Sequence, residues 1–290
     1  MKKILLIGLL VLMLVIPAVS AFDVSIENES KNPFATMQDF THTVNVEYGT
    51  LTTCPPCVTA SAQLYSIYNS GDFDFYYVTM VYDEGNTNVR ARLIELGVVG
   101  VPDVIFDGGF QRIKGGQANE LPYRNAITQS GQRDVADLDM TVDVAWLGGG
   151  KLDIEITVVN NEVEDFDGRI ITYIVEKDSR WNDNSGKPYH YAALDIPIDK
   201  SLAVVKNIAR PKGETYTFSK TWRGSMFGFG DITQDNILVI ATVFEKDTGL
   251  AVQTAAGVPT AKSSNYRSID LMFHRVLERF QILERIFSFL

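Results

Sequence analysis

The sequence predicts an α/β domain, then an all-β sandwich, then a C-terminal amphipathic helix. Three observations carry that reading. Between residues 41 and 132, β-branched and aromatic runs alternate with helix-period segments; after Arg133 the apolar period changes to two; and apolar residues from Ile269 to Leu290 step by fours and threes.

The N-terminus sets the expected compartment. Lys2 and Lys3 precede an apolar run from Ile4 to Ile16, then Pro17 and the small-residue stretch Ala18 to Ala21. That is the shape of a secretory signal peptide over 1–21, and the apolar run is short against the roughly 20 residues of a membrane span. An uncleaved N-terminal anchor is the other reading, and both place the rest of the chain outside the cytoplasm: extracellular, periplasmic or on the outer face of the membrane. The chain carries 36 acids against 26 bases, a net charge of −10, which makes nucleic acid and anionic lipid poor partners.

Residues 22–40 read as a linker or leading strand. From there the elements follow in order. Thr43 to Tyr48 reads as a strand, and 54–69 as a helix with Val58, Leu64, Ile67 and Tyr68 available to a core. Residues 73–82 (FDFYYVTMVY) form a buried strand, and 87–96 a helix opened by Thr87 or Asn88 and stopped at Gly97. Residues 101–113 read as strand, Asp107-Gly108-Gly109 turn, strand, and 117–131 as a closing helix. The α/β domain is thus drawn at 41–132.

The sandwich is drawn at 134–258. Leu138, Met140, Val142, Val144 and Trp146 alternate with polar or small residues, Gly148 to Gly150 turn the chain, and Leu152, Ile154, Ile156 and Val158 alternate again. Further strands are expected at 169–176, 214–222, 237–244 and 250–255, giving an immunoglobulin-like architecture without the cysteine and tryptophan spacing of immunoglobulin domains. Residues 178–197 read as a long loop carrying Trp181, Tyr189, His190 and Tyr191, with Asp183, Asn184 and Ser185 as weak hints of calcium ligands. The helix over 266–290 has an a/d seam interrupted by charges, so it suits docking on a domain, self-association or contact with a membrane surface through 269–290.

The chemistry sits in "TTCPPCV", which holds the only two cysteines, Cys54 and Cys57. A crosslink over so short a loop stabilises little, which favours a chemical role. Thiolate, not thiol, attacks disulfides, and Cys54 at the start of a helix faces free backbone N–H groups and the positive end of the helix dipole. Cys54 is the expected nucleophile and Cys57 the resolving thiol. Pro55 and Pro56 fit the first turn but remove two N–H donors from the Cys54 sulfur, so the expected depression of its pKa is mild.

These residues resemble the thioredoxin superfamily: a strand, Cys54-Pro55-Pro56-Cys57 opening a helix, then Gly100-Val101-Pro102 leading into a strand and hairpin, over roughly residues 36–132. The resemblance implies a thioredoxin-like domain, a cis bond from Val101 to Pro102, Pro102 beside the cysteines, and the Val101 backbone pairing with an incoming substrate strand. The appended sandwich is similar to that of exported thioredoxin-like proteins. Thr53 stands where the family has Trp before the first cysteine and would flank the substrate. The family's buried acid falls at Tyr48 here, and Glu47 is the candidate for its proton-transfer role if the loop holds one extra residue. Asp103 follows Pro102 and would repel acidic substrates.

The expectation is an exported thiol:disulfide oxidoreductase acting on protein thiols or disulfides, reset by a redox partner for which a membrane-embedded protein is one option. No cofactor and no metal are called for: a closed zinc site wants four ligands, and His42, His190 and His274 show no ligand spacing. The alternative is an extracellular binding or adhesion module in which Cys54–Cys57 is a structural disulfide.

Overall fold

Val44–Thr50 (β1) and Phe75–Val81 (β2) are β-branched and aromatic runs, and they pair in parallel with Val44 opposite Phe75 and Thr50 opposite Val81. Between them the chain crosses through helix α1, Pro55–Ser70, which ends at Gly71 in the left-handed conformation. Helix α2, Thr87–Glu95, is capped by the Asn86 side chain accepting from the Val89 N–H. The short strands β3 (Asp103–Phe106) and β4 (Gln111–Lys114) form a hairpin beside β1, and α3 (Leu121–Gly131) follows. The computed structural model describes residues 40–204 and 215–261. The expected signal segment, nearly all of the 22–40 linker and the 266–290 helix lie outside the described residues.

Beyond α3 come β5 (Leu138–Trp146), β6 (Lys151–Asn160), β7 (Phe166–Asn182), β8 (Pro188–Val204), β9 (Thr215–Arg223), β10 (Ile237–Glu245), β11 (Ala251–Gly257) and β12 (Pro259–Ala261). They do not make a separate sandwich. Strands β7, β8, β10 and β11 join β1 to β4 in one eight-stranded mixed sheet of order β11-β10-β7-β8-β2-β1-β3-β4, through a parallel contact of Thr79 on β2 with Ala192 on β8. The second sheet has four strands, β12-β5-β6-β9, with β12 parallel to β5. The expected α/β thioredoxin-like domain followed by an immunoglobulin-like sandwich is therefore corrected to a β-rich fold of two mixed sheets with sandwich-like packing. The described residues belong to a single compact unit.

Side-chain bonds explain why the halves merge. Asp195 on β8 is buried and accepts from Asn86 and Asn88 at the start of α2 and from Trp222 Nε1 on β9, at 2.6, 2.8 and 2.7 Å. One carboxylate thus ties a helix of the first half to the smaller sheet. An apolar core lies between the sheets, including Ile154, Ile156, Ile170, Leu194, Trp222 and Val239. A second lies under α1 and α3 and contains both cysteines, and a third lies under α2 around Met80, Leu93, Tyr173 and Ile240.

The expected aromatic loop at 178–197 is also corrected. It is the end of the long β7–β8 hairpin, turned at Asp183, whose Oδ1 accepts from Ser185 N, Ser185 Oγ and Lys187 N. Those bonds account for the Asp183 and Ser185 pattern without a cation.

The Asp107-Gly108-Gly109 turn has a tertiary role. Asp107 takes φ +48°, and its carboxylate accepts from Asn45 N, His42 Nε2 and Arg133 Nη2, each at 2.9 Å. Gly108 has φ +72° and lies against the Gly249 carbonyl and the Phe244 ring. Gly108→Ala is expected to cost about 2 kcal/mol or more, from the left-handed backbone and the overpacking together, measurable as a lowered urea midpoint.

Candidate functional site

Cys54 is the N-cap of α1, with extended φ/ψ of −97° and 104°, and Pro55 and Pro56 occupy the first turn. The two prolines have no N–H to leave unpaired, which is why the helix can begin immediately after Cys54. Cys54 and Cys57 are joined by a disulfide. Cys54 N donates to Leu51 O and Cys57 N to Cys54 O, both at 3.2 Å, so the motif is a tight turn feeding the helix. Cys54 is 6% exposed and Cys57 is wholly buried, while Thr53, Pro55 and Pro56 are exposed around them.

The Val101–Pro102 peptide bond is cis. Pro102 is buried, and Val101 is half-buried and packs on the same apolar cluster as the two cysteines. Pro102 O accepts from Gly115 N at 2.8 Å, and Gly116 lies so close that a Cβ there would sit 3.0 Å from Pro56 O. The loop after β4 thereby closes over the second proline of the motif. Asp103 does not face solvent: its side chain is fully buried and accepts from Arg112 Nε at 2.9 Å.

Glu47 is not beside the cysteines. Strand alternation puts Val44, Val46 and Tyr48 on the α1 face of the sheet, and Glu47 on the opposite face under α2. There Arg92 grips both its oxygens, Nε to Oε1 at 2.8 Å and Nη2 to Oε2 at 2.9 Å, and Tyr173 OH donates to Oε1 at 2.6 Å. Burial alone would pull the Arg92 guanidinium down, but the Glu47 carboxylate outweighs it and holds Arg92 well above its ordinary value. The proton-transfer role expected of Glu47 is accordingly withdrawn on geometry.

The residues that do reach the disulfide loop are hydroxyls that the sequence reading left without a role. Tyr48 OH donates to Cys57 O at 2.9 Å, with Thr50 Oγ1 3.2 Å away. Thr50 Oγ1 is 2.9 Å from Tyr189 OH, which donates to Leu51 O at 2.8 Å. All three side chains are buried. Tyr48 was legible from the alternation of β1, whereas Tyr189 arrives from β8 and left no local mark. His190 stacks on Tyr65 with 3.5 Å between centroids, and His42 is spent on Asp107.

No protein-family model matches the chain, and no curated protein does. Among solved structures it is similar to HBP35 of Porphyromonas gingivalis, with a TM-score of 0.59 at 14% identity over 78% of each chain. It is also similar to protein AGR_C_4864 from Agrobacterium tumefaciens, with a TM-score of 0.43 at 14% identity over 78% of this chain and 98% of that one. A Bacteroides uniformis beta-glucuronidase matches over 43% of this chain and 13% of its own, with a TM-score of 0.25 at 15% identity. At such identity the likeness to HBP35 concerns the fold, and the other two superpose too loosely to add to it.

Proposed function

We propose that the chain is an exported thiol:disulfide oxidoreductase whose working group is the Cys54–Cys57 pair. The observation that carries this is the position of Cys54 as N-cap of a 16-residue helix, where the positive end of the helix dipole favours a thiolate. In the reduced form the Cys54 thiolate attacks one sulfur of a protein disulfide, and the other substrate sulfur leaves as thiolate and takes a proton. Cys57, deprotonated, then attacks the Cys54 sulfur, releases the second substrate thiol and closes the bond. The substrate gains two electrons and two protons, and a dithiol partner must return them to the pair. The half-buried Val101 beside the cis Pro102, and the exposed Thr53, are the surfaces on which a substrate strand would lie. The signal-like N-terminus supports an exported location, where such chemistry has protein disulfides to act on.

A second reading, a non-catalytic binding or adhesion module with a structural disulfide, is favoured by specific observations. The bond is closed, Cys57 is wholly buried, Cys54 is nearly so, and the acid expected to assist them lies on the other face of the sheet. Titration of the pair against glutathione and dithiothreitol buffers separates the two. A folded protein that equilibrates supports the oxidoreductase, with a potential near or below about −250 mV for a reductant and above about −200 mV for an oxidase or isomerase. A pair that opens only on unfolding supports the binding module.

A further inference from the structure

We propose that Tyr48, Thr50 and Tyr189 form a hydroxyl brace that fixes the backbone on both sides of the Cys54–Cys57 turn and favours closure of the disulfide. The inference rests on the reading of the pair as an exchanging centre and adds three positioning residues to it.

The bonds can be assigned without conflict. Tyr189 OH gives its hydrogen to Leu51 O, Thr50 Oγ1 gives its own to Tyr189, and Tyr48 OH gives its hydrogen to Cys57 O while lying within reach of Thr50. Leu51 O also accepts from Cys54 N, so one carbonyl joins the brace to the first cysteine. Cys57 O is the anchor at the other end. Both tyrosines stay protonated donors, because burial pushes the Tyr189 hydroxyl up to about 12 and the Tyr48 hydroxyl well above its ordinary value.

Opening the disulfide removes the covalent tether, and the two sulfurs then separate by rotation of the side chains and by relaxation of the backbone between Leu51 and Cys57; the brace acts on the second of these. A turn held at both ends relaxes less, so the dithiol stays near the geometry of closure and loses less freedom on re-forming the bond. The brace also makes the long hairpin part of the centre. Tyr189 is 138 residues from Leu51 in the chain, and β8 is held next to β2 by Thr79 Oγ1 donating to His190 O at 2.7 Å.

The test is the ratio of disulfide to dithiol in fixed glutathione buffers for the full chain and for Tyr48→Phe and Tyr189→Phe, with unfolding midpoints recorded beside it. Each Phe variant is expected to shift the ratio toward dithiol by up to about 10-fold, the ceiling set by one lost hydrogen bond. Leu64→Ala, a buried residue of the same core outside these bonds, is expected to lower the midpoint and leave the ratio in place. Should a Phe variant not fold, Thr50→Val against Thr50→Ser carries the comparison: a shift with Val and recovery with Ser supports the brace, and equal ratios overturn it. Phe variants that titrate like the parent chain while the parent exchanges freely overturn the brace alone. A parent chain that exchanges in no buffer overturns the oxidoreductase reading and the brace with it.

Discussion

A Cys57→Ser chain is expected to accumulate a covalent adduct through Cys54 when incubated, folded, with a disulfide-bonded protein, and a Cys54→Ser chain to form none. The asymmetry follows from position. Cys54 is the N-cap, with a small exposed fraction and the helix terminus to support negative charge, whereas Cys57 lies inside the first turn and is wholly buried. Without Cys57 nothing resolves the mixed disulfide, so adduct should approach one per chain on a non-reducing gel and turnover should fall to the uncatalysed background for both variants. The stability cost is expected to be small, about 2 kcal/mol, because the crosslink spans a sequence separation of three. Equal adduct yields from both variants would contradict the assignment of roles.

The other large effect is on stability and lies across the sheet. Replacing Glu47 by Leu leaves the Arg92 guanidinium, 7% exposed, with only the half-exposed Glu95 at 3.1 Å as an acidic partner among the described residues. Breaking a buried pair on one side costs about 3–5 kcal/mol, because the surviving charge stays desolvated. Arg92→Leu is expected to cost at least as much, since Glu47 is wholly buried and, among the described residues, keeps only the Tyr173 hydroxyl. The double replacement should cost less than the two single losses together. Urea unfolding measures all three. Glu47→Gln should keep the exchange rate per folded molecule, because the side chain points away from Cys54 and Cys57; a large loss of exchange with full folding would return Glu47 to the chemistry.

Most local elements were legible. Helix α1, expected at 54–69, runs Pro55–Ser70, and α2, expected at 87–96, runs Thr87–Glu95, since prolines and glycines mark their ends; the cap of α2 is Asn86 rather than the expected Thr87 or Asn88. Helix α3 starts at Leu121 rather than 117, after the chain has passed Pro56 at Gly116. What stayed hidden was assembly. The pairing of Thr79 with Ala192 joins segments more than a hundred residues apart and leaves no periodic trace in either. Strand β7 extends beyond its expected 169–176, and β8 is not expected from the sequence at all, for two reasons: their middles are buried on both faces, and register shifts between Thr172 and Asn182 break the alternation. The alternation of Val44, Val46 and Tyr48 places Glu47 on the face of the sheet away from the cysteines, against the expectation of a proton-transfer role.

An oxidoreductase requires that the disulfide open in the folded protein. The most direct measurement is the rate of reduction of Cys54–Cys57 by dithiothreitol across a series of urea concentrations below the unfolding transition. An exchanging centre predicts a rate that is fast in water, proportional to dithiothreitol and nearly flat in urea. A rate that rises with urea in step with global unfolding would contradict it and leave the disulfide as a structural bond in a binding module.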